Sequence, residues 1–113
     1  MKDRPEITIK QGILKGYWFP DAFCQEHKEL CGRFIAFFNR QYEGCCDVFG
    51  AAEKHKGNVD HKRETADMLD EFYGLGVRIR NGFDNKLYRS KRSYREYIMS
   101  CGDMLPPPTP YRA

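Results

Sequence analysis

The chain has 113 residues, of which 41% are hydrophobic, and a mean hydropathy of -0.73, values that fit one polar globular domain with a small core. Residues 1–5 lack the apolar run of a secretory leader, and the longest apolar run, residues 34–38, is too short to cross a bilayer. The five cysteines are an odd number, which favours a reducing compartment. We therefore expect a cytoplasmic protein without a membrane partner, and its thin core favours a homo-oligomer.

Positive charge is concentrated in one segment. The net charge is +3, but residues 78–95 hold seven basic residues against a single acidic one, Asp84. These basic residues are Arg78, Arg80, Lys86, Arg89, Lys91, Arg92 and Arg95. Such a segment predicts either a solvated basic face or a surface for an anionic partner.

The first 19 residues form the segment whose pattern is hardest to interpret. Ile7 and Ile9 alternate with polar residues as in a short strand or an extended arm, whereas residues 13–18 fit one apolar helical turn broken by Gly16. We predict an ordered apolar N-terminal arm over residues 1–19.

A long helix is predicted over residues 23–49. Apolar side chains recur there at the i, i+3, i+4, i+7 spacing of one helix face, and Asp21 is a suitable N-cap. Residues 50–59 are polar and predict a connection. A second helical stripe runs to Ile79, with Asp60 as its N-cap.

The pair Asn81 and Gly82 admits two interpretations, a helix C-cap or the type I′ turn of a hairpin over residues 77–83. We predict the C-cap, because the period upstream is helical. A last helix begins at Ser90 or Ser93, and residues 103–113 form a Pro-rich tail. Residues 20–102 are thus predicted to be a helical domain, and the fold class to be an all-α bundle of three or four helices.

Two pairs of carboxylates occur at i, i+3 spacing in the predicted helices. They are Glu26 with Glu29, and Glu64 with Asp67. Two antiparallel helices that each offer such a pair can surround a divalent cation with oxygen ligands, the environment that Mg²⁺ prefers. Because Mg²⁺ bridges phosphate oxygens, the pattern suggests a nucleoside triphosphate site.

Both segments resemble motifs of the all-α nucleoside triphosphate pyrophosphatases of the MazG and dimeric dUTPase type. The first, QEHKEL at residues 25–30, is similar to the E-E-x-x-E segment of that family, with Gln25 in place of the leading Glu. The second, ETADML at residues 64–69, is similar to its E-x-x-D segment.

This resemblance covers roughly residues 22–90 and implies an activity. Mg²⁺ would orient a nucleotide substrate while water attacks the α-phosphorus, giving a nucleoside monophosphate and pyrophosphate. The implied metal ligands and catalytic residues are Glu26, Glu29, Glu64 and Asp67. The implied phosphate contacts are Asn85, Lys86 and Arg89.

Another interpretation gives the same acids no catalytic role. They also fit exposed helix faces that support helix dipoles and i,i+4 pairs such as Glu29 with Arg33. The chain would then be a small basic helical adaptor or inhibitor that binds an acidic protein or a nucleic acid. The residues expected to bind this partner are Arg78, Arg80, Arg89, Lys91, Arg92 and Arg95.

Zinc is the other metal for which the sequence offers candidate ligands. Cys24, His27 and Cys31 have the i, i+3, i+7 spacing of one helix face, and His55 or His61 would be a fourth ligand. These cysteines lie in the apolar stripe, and no paired C-x-x-C motif accompanies them. We therefore expect them to pack in the core rather than to bind zinc.

Overall fold

The structure is a computed structural model that describes residues 4–46 and 59–100, with side chains described at 4–40 and 62–100. The strands are β1 (Glu6–Lys10), β2 (Ile13–Trp18) and β3 (Arg78–Asn81). The helices are α1 (Asp21–Glu26), α2 (Lys28–Cys46), α3 (Val59–Gly74) and α4 (Lys91–Ser100). The fold therefore combines helices with a three-stranded mixed sheet, and the predicted all-α helical bundle is wrong.

The predicted N-terminal arm is a β-hairpin in its described part. β1 and β2 pair antiparallel, and Gln11 and Gly12 connect them with φ of 60° and 81°. Two successive positive φ values are typical of the type I′ turn, whose twist matches that of the flanking strands. The alternation around Ile7 and Ile9 is thus that of a strand.

The third strand lies where a helix was predicted. α3 ends at Gly74, and the backbone turns at Gly76, where φ is 91° and the N–H donates to the carbonyl of Tyr73. The following residues alternate between the two faces of a strand, with Ile79 buried, and pair in parallel with β1. The predicted helix C-cap at Asn81 is therefore wrong, because the period upstream changes from helical to extended at Gly76.

One face of the sheet packs against the helices. Ile7, Ile9 and Ile79 are at most 1% exposed and join one core with Phe34 of α2 and Phe72 of α3. The order of strands is β2-β1-β3, so β1 is central and its alternate residues point away from this core.

The predicted long helix is interrupted at His27. This residue has φ -124° and ψ 49° and ends α1, and α2 begins at Lys28. Pro20 is the N-cap and makes no side-chain capping bond, so Asp21 lies in the first turn instead of capping the helix. The predicted end near residue 49, the connection at residues 50–58 and the Pro-rich tail lie outside the described residues.

The predicted start of the last helix is confirmed. The N–H of Ser93 donates to Ser90 Oγ at 3.2 Å, as expected for an N-cap, and α4 follows from Lys91. Tyr94 is fully buried, and Tyr97 packs against the same core, so both tyrosines are packing residues. No described helix is long and apolar enough to span a membrane.

Candidate functional site

The four carboxylates that the resemblance assigns to Mg²⁺ have separate surroundings. Glu64 forms an ion pair with Arg40 at 3.2 Å, and Asp67 forms one with Arg95 at 3.3 Å. Glu26 is 75% exposed, at 3.6 Å from the ring of the neighbouring His27. Glu29 is exposed as well.

The register of α2 against α3 explains this separation. Two ion pairs join the helices, Arg40 with Glu64 and Arg33 with Glu71 at 3.0 Å, and they make the helices antiparallel. Glu29 precedes Arg40 by eleven residues, which is about 16 Å along an α-helix. One Mg²⁺ ion, with ligands at about 2.1 Å, does not span such an offset.

A groove does lie beside two of these carboxylates. It is open, has a volume of about 350 Å³, and is lined by Arg33, Arg63, Glu64, Asp67, Met68 and Glu71. The hydrogen bond from Arg33 to Glu71 raises the pKa of Arg33, with a smaller contribution from Glu29. Within the described ranges, no three His, Cys, Asp or Glu side chains form a group able to hold a metal ion.

Cys24 and Cys31, the cysteines considered for zinc, lie near each other, but their surroundings do not favour metal binding. Cys31 is 5% exposed, and burial together with the neighbouring Cys24 raises the pKa of its thiol. Zinc binds the thiolate, which this environment disfavours. The ring of His27 packs on Phe23 instead, with centroids 4.6 Å apart. His55 and the His61 side chain lie outside the described residues.

The three predicted phosphate contacts lie in the loop between β3 and α4. Asn85 has φ 64°, and its carbonyl accepts a hydrogen bond from Arg80. The carbonyl of Arg89 accepts one from Tyr73 of α3 at 3.0 Å. The side chains of Lys86 and Arg89 are exposed on this loop.

The basic segment is distributed over three elements of the fold. On α4, Arg92 pairs with Glu96, and Arg95 turns to α3, where it contacts Asp67 and Asp70. Arg78 and Arg80 lie instead on β3, Arg89 lies in the loop that follows it, and Lys91 begins α4. The predicted set of six is therefore distributed over β3, this loop and α4.

A different site emerges on the side of the sheet that points away from the core, which we call the outer face. Cross-strand partners share a face, so the register assigns eight residues to it. They are Glu6, Thr8 and Lys10 of β1, Ile13, Gly16 and Trp18 of β2, and Arg78 and Arg80 of β3. A Cβ at Gly16 would meet no atom within 4 Å, which indicates open space above this position.

Glu6 lies at the centre of the charges on the outer face. It accepts hydrogen bonds from Arg80 at 3.0 and 2.8 Å, and these raise the pKa of Arg80. Arg78 lies farther away, at 3.5 Å, and its buried Nε has no hydrogen-bond partner within the described residues. One carboxylate therefore faces two guanidinium groups, and with Lys10 the outer face carries excess positive charge.

The loop after β3 adds an exposed aromatic ring to this face. The N–H of Gly82 donates to the carbonyl of Ile9 at 2.7 Å, and a Cβ there would lie 3.0 Å from Lys10 Cβ, so the loop crosses β1 closely. Asn81 Oδ1 accepts a hydrogen bond from the N–H of Phe83 at 2.7 Å. Phe83 is 58% exposed, with Lys10 Nζ at 5.0 Å from its ring centroid.

The sequence interpretation missed Lys10, Trp18 and Phe83 as site residues. The sequence does contain a signal for this face. It is the period-2 pattern of residues 6–10 and 78–80, which places polar residues on one face of each strand. Their juxtaposition depends on the parallel pairing of β1 with β3, which no local pattern predicts. Neither the family models, nor the curated proteins, nor the solved structures compared with the chain gave a match.

Proposed function

We propose that this chain is a binding module that docks an anionic macromolecule on the outer face of its sheet. The observation that carries the proposal is the placement of Lys10, Arg78 and Arg80 on the same face as two aromatic rings, Trp18 and Phe83. Positive charge attracts and orients the partner, and the rings add contact area once water is displaced.

The rigidity of the loop supports a binding role. The N–H of Lys86 donates to Asp84 Oδ1, and the N–H of Asn81 donates to the carbonyl of Lys86 at 2.8 Å. Phe83 is thus held by a hydrogen-bonded loop while its ring remains exposed to water. A fixed anchor loses little conformational freedom on binding, which favours affinity.

Nucleotide pyrophosphate hydrolysis stays the competing proposal. The groove beside Glu64 and Asp67 would be its site, and Arg33 and Arg63 also line it. It requires that the carboxylates exchange their arginine partners for Mg²⁺. On the outer face an anion displaces Glu6 from an arginine at most, while Lys10 already lies beside the ring of Phe83, and for that reason we favour the binding module.

Elution from immobilised heparin tests the proposal, because heparin is a polyanion that reports the basic surface. Lys10→Glu should elute at lower salt than the wild type, since the slope of binding with salt follows the number of cations engaged. Lys28→Glu is the matched control: it changes net charge equally but lies exposed on α2. Equal shifts for both variants would show attraction by net charge alone and would contradict the proposal.

A further inference from the structure

We propose that the anionic macromolecule is a single-stranded nucleic acid whose bases stack on Trp18 and Phe83. This inference rests on the proposed function, which names only the charge of the partner. The outer face offers what stacking requires, namely aromatic surface on a sheet with cations beside it.

Trp18 has room for a base above the sheet. It is half-buried in β2, opposite Glu6, and the next outer-face position of the same strand is Gly16. The space that a Cβ would occupy at Gly16 is open. No side chain therefore covers the sheet at Gly16, next to the indole.

Phe83 supplies the second ring at the other end of the face. Its neighbour Lys10 is four residues from Glu6, the partner of Trp18, and these two positions of β1 are about 13 Å apart at the rise of a strand. Successive bases of one nucleic-acid strand are about 3.4 Å apart when stacked. About five nucleotides therefore cover this length of β1, and an octamer is longer than it.

Cations lie along the path between the rings. Lys10 is beside Phe83, while Arg78 occupies the row of Trp18 and Glu6. Of the two guanidinium groups on β3, that of Arg78 has the longer contact with Glu6, 3.5 Å against 2.8 Å for Arg80. Arg78 is therefore the arginine that a phosphate can draw away from Glu6 more easily.

An acidic protein would satisfy the same cations, but it fits the rings less well. Protein partners bind most tightly through side chains that fill pockets. The described groove is lined by three carboxylates and two arginines, so it offers an acidic segment no excess of positive charge. The flat rings of Trp18 and Phe83 match flat bases better.

The fluorescence of Trp18 gives a direct test, since it is the only tryptophan of the chain. The probes are the octamers dT8 and rU8, an abasic octamer with the same phosphates, and poly-glutamate. We expect dT8 or rU8 to quench the emission and to bind on the order of 10-fold more tightly than the abasic strand. Phe83→Ala, at an exposed position outside the core, should weaken dT8 or rU8 binding by a similar factor.

The remaining variants separate stacking from folding. Trp18→Phe should retain the affinity for dT8 or rU8 measured by anisotropy, whereas Trp18→Ala should lose it while circular dichroism stays unchanged. Equal binding of octamer and abasic strand without quenching, or tighter binding of poly-glutamate, would overturn the nucleic-acid inference and leave the anionic docking surface intact. Equal shifts in heparin elution for Lys10→Glu and Lys28→Glu would instead contradict the proposed function itself.

Discussion

Glu6 accepts two hydrogen bonds from Arg80, at 3.0 and 2.8 Å, across the parallel ladder between β1 and β3. The two residues are 74 positions apart in the chain. Their contact joins the N-terminal hairpin to the strand that follows α3. It also sets the charge of the outer face, because the same carboxylate faces Arg78.

Glu6→Gln should destabilise the fold. The Glu6 side chain is only 13% exposed, so its removal leaves two guanidinium groups without their counter-charge. We expect a loss of about 1–2 kcal/mol in the free energy of unfolding, below the roughly 3–5 kcal/mol of fully buried pairs, because water reaches both arginines. Urea unfolding measures it. Glu96→Gln, in an exposed pair with Arg92, should leave the midpoint unchanged.

Substitution by alanine should change the stability of the fold in opposite directions at two glycines. At Gly82 a Cβ would lie 3.0 Å from the carbonyl oxygen of Ile9, so the backbone of the loop must shift, at a cost of about 1–3 kcal/mol. At Gly32, inside α2, a Cβ would meet nothing within 4 Å, and alanine should stabilise the helix by about 1 kcal/mol. Thermal unfolding of the two variants compares them. Equal effects would show that the loop is not packed as described.

Stability should fall at alkaline pH because of Tyr94. Burial, and after it the hydrogen bond to Asp70, raise the pKa of this tyrosine in the folded chain well above its usual value of 10.0. Above about pH 10 the unfolded chain loses this proton and the folded chain keeps it, so the free energy of unfolding falls by about 1.4 kcal/mol per pH unit. The contribution is fully present below pH 10.

Tyr94→Phe should remove this part of the pH dependence, measured by urea unfolding between pH 8 and pH 11. Tyr17→Phe, at a tyrosine that is 39% exposed, should retain it. An unchanged slope in Tyr94→Phe would mean that the hydroxyl ionises in the folded protein as readily as in the unfolded one.

Local patterns were enough to predict some elements. The start of α4 at Ser90 and the helical spacing of α2 depend on residues within a few turns of each other, and both were predictable. The sheet was not predictable, because residues 6–9 pair with residues 78–81, which are far away in the sequence. The segment around Ile79 fits both a helical and an extended period, and its pairing with β1 decided between them.

The placement of the four predicted carboxylates could not be deduced for a related reason. The E-x-x-E and E-x-x-D spacings are local, whereas convergence of the four carboxylates depends on the axial register of α2 against α3. Ion pairs between distant residues, such as Arg33 with Glu71, fix that register. Sequence spacing contains no information about it.

Magnesium distinguishes the two proposals. Because Glu64 and Asp67 already have arginine partners, Arg40 and Arg95, millimolar Mg²⁺ should leave the Tm unchanged. Nucleoside triphosphates with Mg²⁺ should release no pyrophosphate. Release by the wild type that is lost in a folded Glu64→Gln variant would instead support the hydrolase that the MazG resemblance implies.

The most direct test of the outer face is a titration of the ¹⁵N-labelled protein with dT8 and rU8, followed by the chemical shifts of backbone amides. We predict that the amide signals of Thr8, Gly16 and Arg80 on the outer face shift and reach saturation with one of these strands. The amide signals of Asp67 and Glu71 beside the groove should not change. Shifts confined to Asp67 and Glu71, with Thr8, Gly16 and Arg80 unmoved, would contradict the account.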